Sequence, residues 1–165
     1  MRLALRKHRR CVVCYECRFR RLEEMDTVDA AKRSEIMRSV RGRDTGPEMV
    51  VRRLTHSLGF RYRLHDRGLP GCPDLVFRSR RKVIFVHGCF WHQHKGCQRA
   101  QLPTSRAEYW AAKLGANKKR DVRNCRKLAR LGWKALTLWE CHLGDLDRLA
   151  RRIVSFLQEE SEQKY

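Results

Sequence analysis

The sequence predicts an α/β fold, a mixed central sheet flanked by helices. Three observations carry that expectation. The apolar runs "DLVF" and "KVIFV" are bridged by the basic turn "RSRR", which reads as a hairpin. A further strand, "WKALTLWE", follows a long helical stretch. Amphipathic segments lie before and after these strands, giving the order helix, helix, strands, helix, strand, helix.

Taken in order, Ala31, Ile36, Met37 and Val40 are spaced for a short helix over 29–40. "GRDTGPE" interrupts it, and Pro47 suits a helix start capped by Thr45 or Asp44. Met49, Val50, Leu54 and Leu58 form the apolar face of that helix, which ends near Gly59. "FRYRLH" alternates like a strand, and "LPGCP" is turn chemistry before the hairpin. "SRAEYWAAKL" and "NKKRDVRNCRKLARL" read as helical and separated near Gly115, with Gly132 ending the second. Leu146, Leu149, Ile153 and Leu157 stripe a closing helix, and "QEESEQKY" is a polar, frayed tail. No internal repeat is present.

At 165 residues the chain suits one domain with a single sizeable core. Residues 1–24 look foreign to it: eight basic and three acidic residues, little periodicity, and the triplet Cys11, Cys14, Cys17. Met25 reads like a natural beginning, so residues 1–24 are expected to be a disordered extension or a start assigned too early. A small site of His8 with the three cysteines is the alternative. The domain is expected over 25–158, with 159–165 as tail.

Lys and Arg number 38 against 18 Asp and Glu, a formal charge of +20, and the extension accounts for only +5 of it. That excess points to a polyanion, with nucleic acid first; a generally basic protein is the bland alternative. No basic amphipathic helix dominates, no apolar run reaches transmembrane length, and the opening stretch is too interrupted for a signal peptide. A cytoplasmic location is therefore expected. There, eight cysteines read as metal ligands or buried thiols rather than a disulfide framework.

Chemistry concentrates in "VHGCFWHQHKGC", residues 86–97. Asp74 follows Pro73 at the start of one hairpin strand, and His87 and His92 lie at the far end of the other, so an acid and two histidines can gather at one side of the sheet. A carboxylate with carbonyl and water oxygens suits Mg²⁺, and a histidine can move a proton at neutral pH. On a basic surface this combination argues for phosphodiester hydrolysis. Without context Asp74 is also an ordinary strand-start turn residue. Cys89, His94 and Cys97 are spaced to wrap one soft ion, for which zinc is preferred. Cys141, at the end of "WKALTLWE", is the best fourth donor, while Cys72, Cys125, His65 and His142 compete. Phe90 and Trp91 lie among these ligands and suit either a core or a wedge between base steps, as does Trp110 on its helix.

"GLPGCPDLVF", "VIFVHGCFWHQHKGC", "TSRAEYWAAKLGANKKRD" and "LGWKALTLWEC", with "RSEIMRSVRGRDTGPE" upstream, closely resemble the very short patch repair endonucleases, whose fold is related to type II restriction endonucleases. The resemblance runs from about Met25 to Leu157. It implies an enzyme that nicks one DNA strand 5′ of the thymine in a T:G mismatch, a lesion left by deamination of 5-methylcytosine in a methyltransferase's recognition sequence. It implies that Asp74 and the backbone carbonyl of Val86 hold Mg²⁺, and that His92 is the general acid/base. His87 would support it near the phosphate, and Asp121 would support the His92 proton relay. Cys89, His94, Cys97 and Cys141 would hold structural Zn²⁺. Phe90, Trp91 and Trp110 would insert beside the mismatch, and Met37 and Glu48 would belong to the region closing over DNA. The acid-x-Lys pattern of related nucleases is absent, Val86-His87-Gly88 standing there instead. The implied partners are double-stranded DNA with a T:G mismatch and downstream repair proteins, for a monomer at the bacterial nucleoid with no membrane contact. Two other readings remain: a non-catalytic zinc-containing DNA-binding module, and a restriction-like nuclease without mismatch preference.

Overall fold

Among the described residues four strands form one sheet, neighbouring one another in chain order, and that sheet carries Asp74 and His87 at its strand ends. The structure is a computed structural model that describes residues 42–104 and 106–159, all within one compact unit, Arg41–Tyr165. The elements are α1 (Gly46–Ser57), β1 (Arg63–Leu64), β2 (Leu75–Phe77), β3 (Lys82–His87), α2 (Ala107–Arg130), β4 (Lys134–Trp139) and α3 (Leu146–Gln158). The expected helix over 29–40, the extension 1–24 with its cysteines, and Met37 lie outside the described residues.

β2 and β3 pair antiparallel, Leu75 opposite Ile84 and Phe77 opposite Lys82, so the expected hairpin is present. Its turn is a 3₁₀ segment, Arg78–Arg80, closed by Arg81 at φ 49°. β4 joins β3 in parallel, which makes the sheet mixed. Side chains alternate across β3. Ile84 packs with Val51, Leu138, Leu149 and Ile153 on the face covered by α1 and α3, and Val86 packs against that cluster. Val83 and Phe85 face Leu128 of α2 on the other side.

The expected strand over "FRYRLH" pairs only through Arg63 and Leu64, because His65 takes a left-handed backbone (φ 48°) that ends the extended run. The expected break near Gly115 is absent. α2 runs unbroken for 24 residues. A lone glycine costs a helix about 1 kcal/mol without breaking it, and here a continuous inward stripe outweighs that cost. Trp110, Leu114, Asn117, Asp121, Cys125 and Leu128 follow at three- and four-residue spacing on one partly or fully buried face. The helix ends where expected. Gly132, at φ 76°, lets Trp133 N donate to Leu128 O at 2.9 Å, a left-handed closure that glycine adopts without strain.

Among the described residues no helix is long and apolar enough to cross a membrane.

Candidate active site and metal centre

Asp74 owes its place to the end of the hairpin ladder. Continuing the β2–β3 register would set Pro73 opposite Val86, and proline has no N–H to offer the Val86 carbonyl, so the ladder stops here. The Val86 N–H donates to the Asp74 side chain, to Oδ2 at 2.7 Å. The carboxylate is thereby held at the strand end with 16% of its side chain exposed. Burial pushes its pKa from 3.8 to about 6, the Val86 hydrogen bond pulling down and the Glu48 charge adding to the rise. A carboxylate whose burial outweighs the Arg52 and His92 charges that favour its ionised form fits a hard divalent cation.

β3 delivers His87 at its last position, 9% exposed, on the face toward α2. Burial, with the nearby His92 charge, lowers its pKa to about 4, so it is neutral at pH 7. His92 stacks on it, ring centroids 3.7 Å apart and planes 10° from parallel. The turn that brings His92 back is closed by His92 N donating to Gly88 O at 3.2 Å. Asp121, on the inward stripe of α2, lies with Oδ2 2.6 Å from His92 Nδ1. Burial alone would raise the Asp121 pKa, but the His92 hydrogen bond and the charges of His92, His87 and Arg120 together hold it below its ordinary value. An ionised Asp121 accepts from Nδ1–H, which leaves Nε2 of His92 to exchange a proton.

The same loop gathers a second set. Cys89, His94, Cys97 and Cys141 present ligand atoms that all lie within 4.8 Å of one another. Cys141 Sγ is 3.2 Å and Cys89 Sγ 3.7 Å from His94 Nδ1. Ligands of a tetrahedral zinc are roughly 3.5–3.8 Å apart, so three sulfurs and one imidazole at this spacing fit that ion. Burial and the neighbouring thiols push Cys89 up to about 12, a penalty that coordination reverses. Of the competing fourth donors, none joins this group; His142 stands beside it as an edge contact of His94.

The aromatics form one cluster, with Phe90, Trp91 and Trp110 at mutual centroid distances of 5.1, 5.4 and 6.1 Å. Phe90 and Trp110 are buried at 7% and 2%, while Trp91 is half-buried. Its carbonyl accepts from Asn117 Nδ2 at 3.1 Å, fixing the loop to α2. Lys113 Nζ lies 5.6–5.7 Å from the rings of Trp91, Tyr109 and Trp110. Beyond this cluster the outer face of α2 exposes Lys118, Lys119, Arg120, Arg123, Arg126, Lys127 and Arg130, a positive surface suited to phosphates.

Glu48 is buried at the start of α1 and ties down the chain entering it: Glu48 N donates to Thr45 Oγ1 at 3.4 Å, and Asp44 N, one residue before the cap, donates to Glu48 Oε2 at 2.9 Å. Thr45, not Asp44, is the cap. Two neighbours stand out only in the fold. Arg52, one turn on, donates to Glu48 Oε2 at 2.9 Å, and His65 reaches from Arg52 toward Asp74. His65 appeared in the sequence only as a rival zinc donor, and Arg52 as one basic residue among 38 Lys and Arg. Their link to Asp74 depends on pairings 13 and 9 residues apart that no local pattern signals.

A family model described as DNA mismatch endonuclease Vsr matches residues 25–99. The DNA mismatch endonuclease Vsr of Escherichia coli K12 is 43% identical over 124 residues, 75% of this chain and 79% of its own length. The chain belongs to the Vsr family. Other Vsr relatives are named nicking enzymes. Type II nicking enzyme V.XorIIP of Xanthomonas oryzae pv. oryzae is 49% identical over 132 residues, covering 80% of this chain and 96% of its own. Type II nicking enzyme V.NmeAIP of Neisseria meningitidis is 36% identical over 135 residues, with 78% and 96% covered. The resemblance expected from the motifs is thus borne out, and the chain is a DNA endonuclease of the Vsr kind. The Vsr model's match holds Asp74 and the whole loop 86–97, whereas Trp110, Asp121 and Cys141 come from α2 and the end of β4 beyond it.

Proposed function

We propose that this Vsr endonuclease nicks one strand of duplex DNA on the 5′ side of the thymine in a T:G mismatch left by deamination of 5-methylcytosine, and so initiates very short patch repair. One observation carries the reading: a His92–Asp121 pair at 2.6 Å, stacked by a neutral His87, in the same site as a buried Asp74. In this reading Asp74 and the Val86 carbonyl hold Mg²⁺, which when bound supplies an activated water and charge neutralisation at the phosphate. His92 exchanges a proton through Nε2, Asp121 holds its Nδ1–H, and His87, uncharged, keeps the stacked ring in place without repelling an imidazolium. Cys89, His94, Cys97 and Cys141 hold Zn²⁺ and stiffen the loop carrying His92. Trp91, already half-exposed, leads a wedge that Phe90 and Trp110 join when the cluster opens. Mismatched steps cost least to unstack, which favours insertion there. The active domain spans 25–158, with Met37 and Glu48 in the part closing over DNA, and acts as a monomer. The relatives' names as nicking enzymes support cleavage of a single strand.

The test is a nicking assay in Mg²⁺ on duplexes with randomised flanks around T:G or T:A, using wild type and Asp74→Ala. Nicking of T:G only, abolished in Asp74→Ala, is expected. Equal cutting of T:A would replace this reading with a restriction-like nuclease, and binding without nicking would replace it with a DNA-binding module.

A further inference from the structure

His65 stands outside every role given so far, yet it joins the buried charges of α1 to Asp74. Its Nε2 lies 2.7 Å from Arg52 Nη2. A guanidinium only donates, so Nε2 is the acceptor and the ring proton sits on Nδ1. That Nδ1 lies 3.8 Å from Asp74 Oδ1, the oxygen not held by the Val86 N–H. A turn of the carboxylate that shortens this gap by about 0.9 Å makes an ordinary N–H···O bond.

Arg52 is itself immobilised. It is buried, with Nη2 donating to Glu48 Oε2 at 2.9 Å and Nη1 to Asp44 Oδ1 at 2.5 Å. Asp44, Glu48 and His65 place donor atoms within 4.8 Å of one another, a grouping that would suit a cation, but the Arg52 guanidinium already bonds to all three. A separate observation concerns the backbone. His65 is held at φ 48°, a conformation that residues other than glycine keep where their surroundings over-determine it, often beside active sites.

We propose that His65 is a positioning residue for Asp74, fixed by Arg52 in the Nδ1–H form so that it orients the carboxylate for the divalent cation. This rests on the reading of Asp74 as the holder of that cation. The clamp runs Glu48, Arg52, His65, Asp74, and it ties the geometry of the cation site to the first two turns of α1.

Single-turnover nicking of the T:G duplex that wild type cuts best, across a Mg²⁺ titration, tests it. The full-length, zinc-loaded chain is compared with His65→Ala, His65→Asn, His65→Gln and Asp74→Ala. Outer partners of a metal site typically contribute 10- to 100-fold, so His65→Ala should slow nicking by about that factor and raise the Mg²⁺ needed for half-maximal rate. DNA affinity measured in Ca²⁺ should not change. The Asn amide nitrogen stands where Nδ1 stands, so His65→Asn should recover most of the rate. The Gln nitrogen stands in the place of Nε2, so His65→Gln should not. A His65→Ala rate equal to wild type, or His65→Asn no better than His65→Gln, overturns the proposal. If His65→Ala melts below the assay temperature, the Asn–Gln comparison decides alone. An active Asp74→Ala would instead remove the reading of Asp74 itself, whereas an inactive Asp74→Ala beside an unimpaired His65→Ala removes only the role of His65.

Discussion

Asp74→Asn should make the metal-free fold more stable while abolishing nicking. Asp74 titrates near 6 in the folded protein against an ordinary 3.8, because burial disfavours its charge. At about 1.4 kcal/mol per pH unit, that span sets an upper bound of ~3 kcal/mol on the cost of keeping the carboxylate ionised. Some water still reaches the group, so ~1–3 kcal/mol is the working range. A carboxyl with a native pKa above its unfolded value costs the fold nothing below both values. The cost grows as pH rises from 3.8 toward 6 and is fully present at neutral pH. Asparagine is uncharged, and its carbonyl oxygen can still accept from the Val86 N–H. Thermal unfolding without Mg²⁺ and without chelator should therefore show Asp74→Asn melting higher than wild type by roughly 2–10 °C near pH 7.5. The advantage should shrink toward zero near pH 4. Added Mg²⁺ should raise the melting temperature of wild type and leave that of the variant unchanged. An Asp74→Asn protein no more stable than wild type at pH 7.5, or one whose advantage persists at pH 4, would refute the reasoning that burial without a partner charge governs this carboxylate.

Three further outcomes follow from the same geometry. Asp121→Asn offers an amide where His92 Nδ1–H needs an acceptor, so the nicking rate should drop by about 10²- to 10⁴-fold with DNA affinity intact; stopped-time gel assays read both. Metal analysis of wild type should find zinc at this site, and Cys89→Ala/Cys141→Ala should lose it and unfold at lower temperature. Retained zinc would exclude this four-residue site. Trp91→Ala should narrow the preference for T:G over T:A, since base–aromatic stacking contributes about 1–3 kcal/mol per ring, measured as the ratio of binding constants for the two duplexes.

Local chemistry was the legible part of this chain. The hairpin, the parallel strand and the closing helix carry their periods and turns in plain view, and the Thr45-Gly46-Pro47-Glu48 start of α1 is a recognisable cap. The zinc-type group was legible because three of its members sit within nine residues. Other features depend on what the chain meets after folding. Gly115 looked like a break because sequence shows the loss of a side chain and not the inward stripe that offsets it. Only two residues of "FRYRLH" pair, since the left-handed turn at His65 has no sequence marker for a non-glycine residue. Phe90 and Trp110, which the sequence leaves open between core and wedge, are buried in one aromatic cluster, a packing that depends on how loop 88–97 meets α2.

Loop 88–97 brings His92, the Cys89/His94/Cys97 part of the soft-ligand group and the aromatic cluster together because its turns send successive side chains in different directions. His94 N donates to Cys89 O and His92 N to Gly88 O, so His92 and His94 are set by overlapping turns. Gln93, between them at φ 50°, donates from Nε2 to Phe90 O at 2.9 Å and to Ala100 O at 3.2 Å. Opening the turn at Cys89 and His94 should therefore loosen the 2.6 Å contact of His92 with Asp121. We expect the soft-ligand group and the His92–Asp121 pair to act as one mechanical unit. Zinc removed by a thiol-selective reagent should slow nicking in proportion to metal lost, before far-UV circular dichroism reports any general unfolding. Nicking that persists in zinc-free, folded protein would separate the two and leave Asp121 and the His87 stack as sufficient to hold His92.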